Sequence, residues 1–253
     1  MELVFPGLEL ARRLEASDAE NARAAATEVL EIGGGFAAFA GPESPLTHAI
    51  GVGMHGPVTE SDIDRIEDFY RFRGAACNID LCPLADPTLF DRLGRRAYRV
   101  TEFNNVLVMR VAALEVATPR VRIVDDVELW ARTLTSGFLE KDELEEHEID
   151  AGRSLMAMPE TGAFLAEVDG VAAAGAAARV QGPLATLFAD STRVAYRNRG
   201  LQKELIAARL AWAEQRGCTL ATASTLPGTP SQWNYMRAGF QVAYTKLNMC
   251  RDF

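Results

Sequence analysis

The feature that most constrains this chain is an order of predicted elements that occurs twice. In the first half, periodicity predicts a helix over residues 18–30, strand-like segments at 34–41 and 48–54, and a helix beginning after Thr59. A strand at 77–82, a short helix at 87–93 and a long strand at 98–111 follow. From Val121 the order returns. An acidic helical region spans 126–150, and segments 164–168 and 171–178 form a hairpin across Asp169-Gly170. Then come a strand at 184–193, a helix at 201–216 with Gly217 as its C-cap, a strand at 218–224, a helix at 231–237 and a last strand from Phe240. Each half ends in the order strand, strand, helix, strand, helix, strand, which predicts a duplicated α/β (α+β) protein. Ala97-Tyr98-Arg99-Val100 runs parallel to Gly239-Phe240-Gln241-Val242, and Arg73-Gly74 to Arg216-Gly217. Pro119 interrupts helix continuation, so we expect two domains, 1–118 and 119–253.

Several function classes are excluded as expectations. A net charge of −9 argues against binding nucleic acid and suits a cationic or neutral small substrate. The first residues lack a basic start followed by an apolar stretch, and the longest apolar stretch, 171–178, is far too short to span a bilayer, so a cytoplasmic protein is expected. Cys77, Cys82, Cys218 and Cys250 show no CxxC spacing and read as buried small hydrophobes. His48, His55 and His147 are not paired at metal-ligand spacing, so no metal site is expected. Gly33-Gly34-Gly35 precedes a strand rather than a helix and reads as a flexible connection or bulge.

The chemistry concentrates where a strand gives way to a helix, at Val194-Ala195-Tyr196-Arg197-Asn198-Arg199-Gly200-Leu201-Gln202. The first amides of a helix lack internal partners, and the macrodipole adds positive charge, which makes this junction a cradle for a pyrophosphate. Gly200 allows close backbone approach. Arg193, Arg197, Arg199 and Lys203 add positive charge, with no acid nearby in sequence before Glu204.

This stretch resembles the Q/R-x-x-G-x-G/A signature of the GNAT acetyltransferase superfamily, with Arg197, Gly200 and Gln202 in the signature positions. Gln202 departs from the usual Gly or Ala, and Val194 stands where the family's run has Pro. Tyr235-Met236-Arg237-Ala238-Gly239-Phe240 is similar to the family's Y-x-x-x-G-F pattern. The resemblance implies two GNAT-like domains, each a mixed, mostly antiparallel sheet flanked by helices. It implies acetyl-CoA as co-substrate, held by Thr192, Arg193, Val194, Arg197, Asn198, Arg199, Gly200, Leu201, Gln202 and Lys203. An amine of a small molecule or peptide would attack the thioester directly. Tyr235 would then protonate the departing thiolate or simply pack. Glu167 and Asp190 would serve as general base or be solvated strand carboxylates.

The first half offers no arginine before a glycine at its equivalent junction. Its helix start bears Glu60, Asp62 and Asp64, which oppose a pyrophosphate, so it resembles the degenerate partner of tandem GNAT proteins. We expect it to shape the acceptor cleft or a subunit contact, in a monomer or homodimer. The rival reading is a non-catalytic acyl-CoA-binding sensor.

Overall fold

Alanine builds the middle of the C-terminal sheet. Ala172 to Arg179, in the strand β8 (Val171–Gln181), are buried without interruption, as a strand covered on both faces must be. Such small side chains let helices approach closely on either side. Trp130, from α4 (Val127–Leu139), donates its indole N–H to the Ala176 carbonyl at 3.1 Å. On another face Trp212, from α6 (Leu201–Gln215), meets Phe164 of β7 (Thr161–Val168) edge to face.

The computed structural model describes residues 7–253 except 112, 113 and 115. Residues 1–6, part of the segment on which the expected absence of a secretory signal rests, lie outside the described residues. The remaining elements are α1 (Leu8–Ala25), β1 (Glu28–Ile32), β2 (Gly35–Phe39), β3 (His48–Ile50), α2 (Glu60–Arg71), β4 (Cys77–Leu81), α3 (Pro87–Gly94), β5 (Arg99–Arg110) and β6 (Val121–Val124). After α4 come α5 (Asp150–Met156), β9 (Leu184–Thr192), β10 (Leu220–Thr225), α7 (Pro230–Ala238) and β11 (Gln241–Arg251). All four cysteines are buried and unbridged, and among the described residues no helix is long and apolar enough to cross a membrane.

In the C-terminal unit, β6, β7, β8 and β9 pair antiparallel in order, and β10 joins β9 in parallel. The N-terminal unit has the same mixed character: β1, β2 and β3 pair antiparallel, β3 meets β4 in parallel, and β11 lies antiparallel on β4. The duplication is visible in the backbone, because matched positions share left-handed conformations. Ala97 has φ 57° where its counterpart Gly239 has 108°, and Gly74 has 66° against 76° for Gly217.

Two expectations change. The first helix lies earlier than 18–30. Gly7 gives it no side-chain cap to mark a start, and Glu28–Ile32 instead pairs with β2 across a two-residue turn in which Gly33 and Gly34 both have positive φ. The acidic region 126–150 is not one helix. It stops at Glu140, which adopts φ 57°, and resumes in a short 3-10 turn before α5. The chain forms two compact units. Among the described residues, one is Leu107–Gln241; the other joins residues 7–106 with Val242–Phe253. Repetition in sequence locates the duplicated unit, but not the body in which its last strand pairs.

Within the N-terminal unit β11 is fastened by charge. Lys246 is 4% exposed and Glu15 1%. Lys246 Nζ contacts Glu15 at 3.1 Å and Asp18 at 2.7 Å, Tyr244 donates to Glu15 at 2.6 Å, and Arg251 donates to Glu67 at 2.7 Å. Burial works against the Lys246 charge, yet the carboxylates of Asp18 and Glu15 outweigh it and hold its pKa well above the usual value. Removing one partner of a buried pair strands the other. Lys246→Met is therefore expected to cost about 3–5 kcal/mol of unfolding free energy, read by chemical denaturation; a loss below about 1 kcal/mol, the range of exposed pairs, would contradict a buried ionic clasp.

Candidate functional site

The junction between β9 and α6 follows from two residues with left-handed backbone. After a 3-10 turn at Val194–Tyr196, Asn198 has φ 62° and Gly200 has φ 77°. Gly200 is the N-cap of α6, and it caps with no side chain. Leu201 is buried in the core and fixes where the helix starts. Among the described residues, the amides of 198–203 have no acceptor within the chain; the first helical bond here runs from Glu204 N–H to Gly200 O. The result is a run of unsatisfied donors at a positive helix end, suited to a diphosphate.

The arginines around this run are engaged. Arg197 donates to the Thr192 carbonyl at 3.2 Å and the Gly137 carbonyl at 3.1 Å, and pairs with Glu140 at 2.7 Å. Arg193 pairs with Asp142 at 2.9 Å and donates to the Ala172 carbonyl. Hydrogen bonding by Arg193 holds the Asp142 carboxyl below its usual range. Acids that are distant in sequence thus meet the motif, and the expectation of an arginine cluster without a nearby acid is corrected. Arg199 lies over the Tyr196 ring, with its guanidinium carbon 5.4 Å from the centroid. Arg120 donates to the Arg199 carbonyl and pairs with Glu204, so the loop is stapled to the first turn of α6. Lys203 is exposed. Gly137 brings α4 against β9 backbone to backbone: a Cβ there would lie 2.1 Å from Ser191 Oγ.

Beyond this junction β9 and β10 separate. Their pairing ends at Leu187 and Ala223, although β9 continues to Thr192 and β10 to Thr225. Ala189 has φ 57° where the β8–β9 register slips, a bulge that turns the end of β9. Below the opening sits Arg209, which is 0% exposed. It donates to the carbonyls of Leu205, Ala177 and Phe188, to both oxygens of Asp190, and to the Tyr235 hydroxyl at 3.2 Å. Tyr235 in turn donates to Asp190 Oδ2 at 2.7 Å. Burial pushes the Tyr235 pKa well above its usual value. Gln202 turns away from the open amides, donating to Ser231 at 2.8 Å and accepting from Asn234 at 2.6 Å. Two buried hydroxyls at the strand ends, Ser191 Oγ and Thr225 Oγ1, have no partner among the described residues. Glu167 stands apart: β8 separates β7 from β9, about 10 Å across the sheet, and its carboxylate is bound by Arg122 at 2.7 Å.

Residues 127–240 match the acetyltransferase (GNAT) family. This stretch is a GNAT domain. No curated protein matches the chain. Among solved structures, the GCN5-related N-acetyltransferase from Kribbella flavida is 17% identical, covers 96% of each chain and superposes with a TM-score of 0.69. A tandem GNAT protein from the clavulanic acid biosynthesis pathway is 12% identical over 96% of this chain and 93% of its own, with a TM-score of 0.59. The GCN5-related N-acetyltransferase from Sphaerobacter thermophilus covers 70% of this chain and 59% of its own at 13% identity and a TM-score of 0.54. Both units therefore share the tandem GNAT fold.

The equivalent strand-to-helix junction within the N-terminal GNAT-like unit is closed by its own residues. Gly53 N–H donates to the Gly33 carbonyl, Asp86 N–H to the Gly53 carbonyl, and Val58 N–H to Thr88 Oγ1, while Arg12 takes the Met54 carbonyl. Thr59 and Asp62 form a full capping box at α2. Glu60 and Asp64 are matched by Arg96, and Glu60 also by Arg92. Carboxylate repulsion is thus not what closes this end; consumed donors and buried Val52, Met54 and Val58 are.

Of the three catalytic candidates, the structure brings together Asp190 and Tyr235 and leaves Glu167 elsewhere. The missed residue is Arg209. It falls at i+8 from Leu201 and i+4 from Leu205, on the apolar stripe of α6, where a charge needs a buried partner. If Asp190 serves chiefly as that partner, Asp190→Asn costs about 3–5 kcal/mol of stability, measured by denaturation. A variant as stable as the parent would return Asp190 to the role of an acid–base group.

Proposed function

We propose that the C-terminal GNAT domain binds acetyl-CoA and passes its acetyl group to an amine of a small molecule or peptide by direct attack. The run of open amides at 198–203 carries this reading, because it supplies several donors to a diphosphate without breaking any internal bond. The separated ends of β9 and β10 offer space for a thioester arm. The unpartnered Ser191 and Thr225 hydroxyls are polar atoms of the kind such an arm's amides satisfy. Arg193 and Arg197 act through the loop they brace, and Gln202 leaves the amides uncovered.

One observation favours a second reading, an acyl-CoA-binding sensor without transfer. Arg209 engages both Asp190 and Tyr235, so neither is an unbound acid or base at the opening. Calorimetry followed by a thiol-release assay over a panel of amines separates the two. Both readings expect one equivalent of acetyl-CoA per chain and a raised melting temperature, since a ligand at 100 times its Kd adds about 2.7 kcal/mol; only transfer releases CoA when amine is added. Two equivalents per chain would assign binding to the N-terminal unit as well.

Gly200→Val locates the site. It places a β-branched side chain at φ 77° beside the amides, a backbone cost of about 1–2 kcal/mol, with no clash, as the nearest atom to a Cβ is Arg120 Nη2 at 3.9 Å. The expected result is a folded protein whose Kd for acetyl-CoA rises at least about tenfold, equivalent to about 1.4 kcal/mol; an unchanged Kd would move the cofactor elsewhere.

A further inference from the structure

The loop between β9 and α6 meets two helix ends, and the chain treats them oppositely. The start of α6 keeps its amides open, whereas the end of α4 is covered. That end carries no basic residue in its own last turn, so the partial negative charge on its final carbonyls needs a donor from elsewhere. Arg197 supplies it from sixty residues away: Nη2 donates to the Gly137 carbonyl at 3.1 Å. Nη1 donates to Glu140 at 2.7 Å and Nε to the Thr192 carbonyl at 3.2 Å. Each of the three guanidinium nitrogens thus has an acceptor inside the C-terminal unit, and two of these acceptors lie in or just past the last turn of α4.

Further contacts turn this bond into a joint. Gly137 lies so close to β9 that a Cβ on it would fall 3.0 Å from the Thr192 nitrogen. Asp142 accepts from Arg193 at 2.9 Å and from Ser136 Oγ at 3.0 Å, which folds the chain after α4 back onto its last turn. The Glu140 and Lys141 amides both donate to the Ser136 carbonyl. Arg193 also holds the Ala172 carbonyl of β8 at 3.2 Å. Two arginines therefore fasten the loop to the end of α4, and the same two side chains fasten it to the sheet.

Arg197 as a phosphate ligand would first have to leave Glu140. The carboxylate would then compete with the ligand, and neutralising it would tighten binding. Arg197 as a cap holds the loop from which the amides of 198–203 project, and neutralising Glu140 would loosen binding. The geometry favours the cap. Releasing Arg197 would strand the Gly137 carbonyl, which sits in a part-buried contact, while a diphosphate already has open amides to bind.

We propose that Arg197 is the C-terminal cap of α4, and that Glu140 and Asp142 are positioning residues for acetyl-CoA, acting through Arg197 and Arg193 on the loop that carries the open amides. The positioning role rests on the acetyl-CoA reading of that loop; the cap does not. Coupling between two sites is reciprocal. If the end of α4, held in place, strengthens cofactor binding, bound cofactor steadies the end of α4 by the same factor. Cofactor affinity can then be altered from a segment that does not touch the cofactor.

The Lys141 amide reports on the α4 end by hydrogen exchange, because its acceptor is the Ser136 carbonyl. Without ligand, Arg197→Gln and the double variant Glu140→Gln/Asp142→Asn should each speed its exchange at least about threefold, with exchange in β8 unchanged as the folding control. Unaltered Lys141 exchange in both would overturn the cap. By calorimetry the double acid variant should weaken acetyl-CoA about tenfold, about threefold for each exposed pair, and Arg197→Gln at least as much. Adding Arg197→Gln to the double variant should cost less than the product of the separate effects, since they share one contact. Acetyl-CoA should slow Lys141 exchange in the parent and lose that effect in the double variant. Equal or tighter binding by the double variant would overturn the positioning role and return Arg197 to the phosphates. A parent that binds no acetyl-CoA would overturn the cofactor reading and the positioning role with it, and the unliganded exchange would still decide the cap.

Discussion

A guanidinium removed from water needs an acceptor for every N–H, and Arg209 finds its acceptors on four elements. It joins the preceding turn of α6, the middle of β8, the bulged end of β9 and, through Tyr235, α7. Burying such a charge is expensive unless its partners are complete, which is why Asp190 meets it with both oxygens. The consequence is geometric. β9 leaves β10 just above this cation, and the left-handed Ala189 is held between two of its acceptors, Phe188 and Asp190. The opening beside the Gly200 loop is thus set by a buried ion network, and the alanines of β8 leave room for it.

The two units show how one element order can serve different ends. Both have a parallel strand pair joined through a helix, and both deliver several backbone donors to that helix start. In the C-terminal unit the donors stay open because Gly200 caps with backbone alone and the local arginines turn to carbonyls and to Glu140 and Asp142. In the N-terminal unit Thr59, Asp62, Thr88 and the Gly33 carbonyl consume them. Closing one end of the unit does not empty it of buried charge, since it holds the His48–Asp80 pair and, between α1 and β11, the Lys246 contacts with Glu15 and Asp18.

Local signals in the sequence carried the hairpin at Asp169-Gly170, the Thr59 cap, the α6 helix with its Gly200 start, and the duplication, because each is written in neighbouring residues. The first helix was misjudged because Gly7 leaves no capping signature and Glu28–Ile32 has the length of a strand but an ambiguous period. The counterions Glu140 and Asp142 were invisible for a different reason: they lie more than fifty residues from their arginines, at a helix end defined by one left-handed residue. Asp190 and Tyr235 were singled out as acid–base candidates, yet their bonding to each other was not legible, since it depends on Arg209 reaching across from α6. That residue did leave a trace, a charge on an apolar stripe.

The N-terminal unit is built from two pieces of chain, and Val242–Phe253 supplies one of its strands. During synthesis that strand emerges only after all of Leu107–Gln241 has been translated. Until then Glu15 and Asp18 lack the lysine that neutralises them, and Glu67 lacks one of its arginines. Domains ordinarily fold in the order in which they leave the ribosome; here the unit that begins first is completed last, and the later unit is free to fold before it.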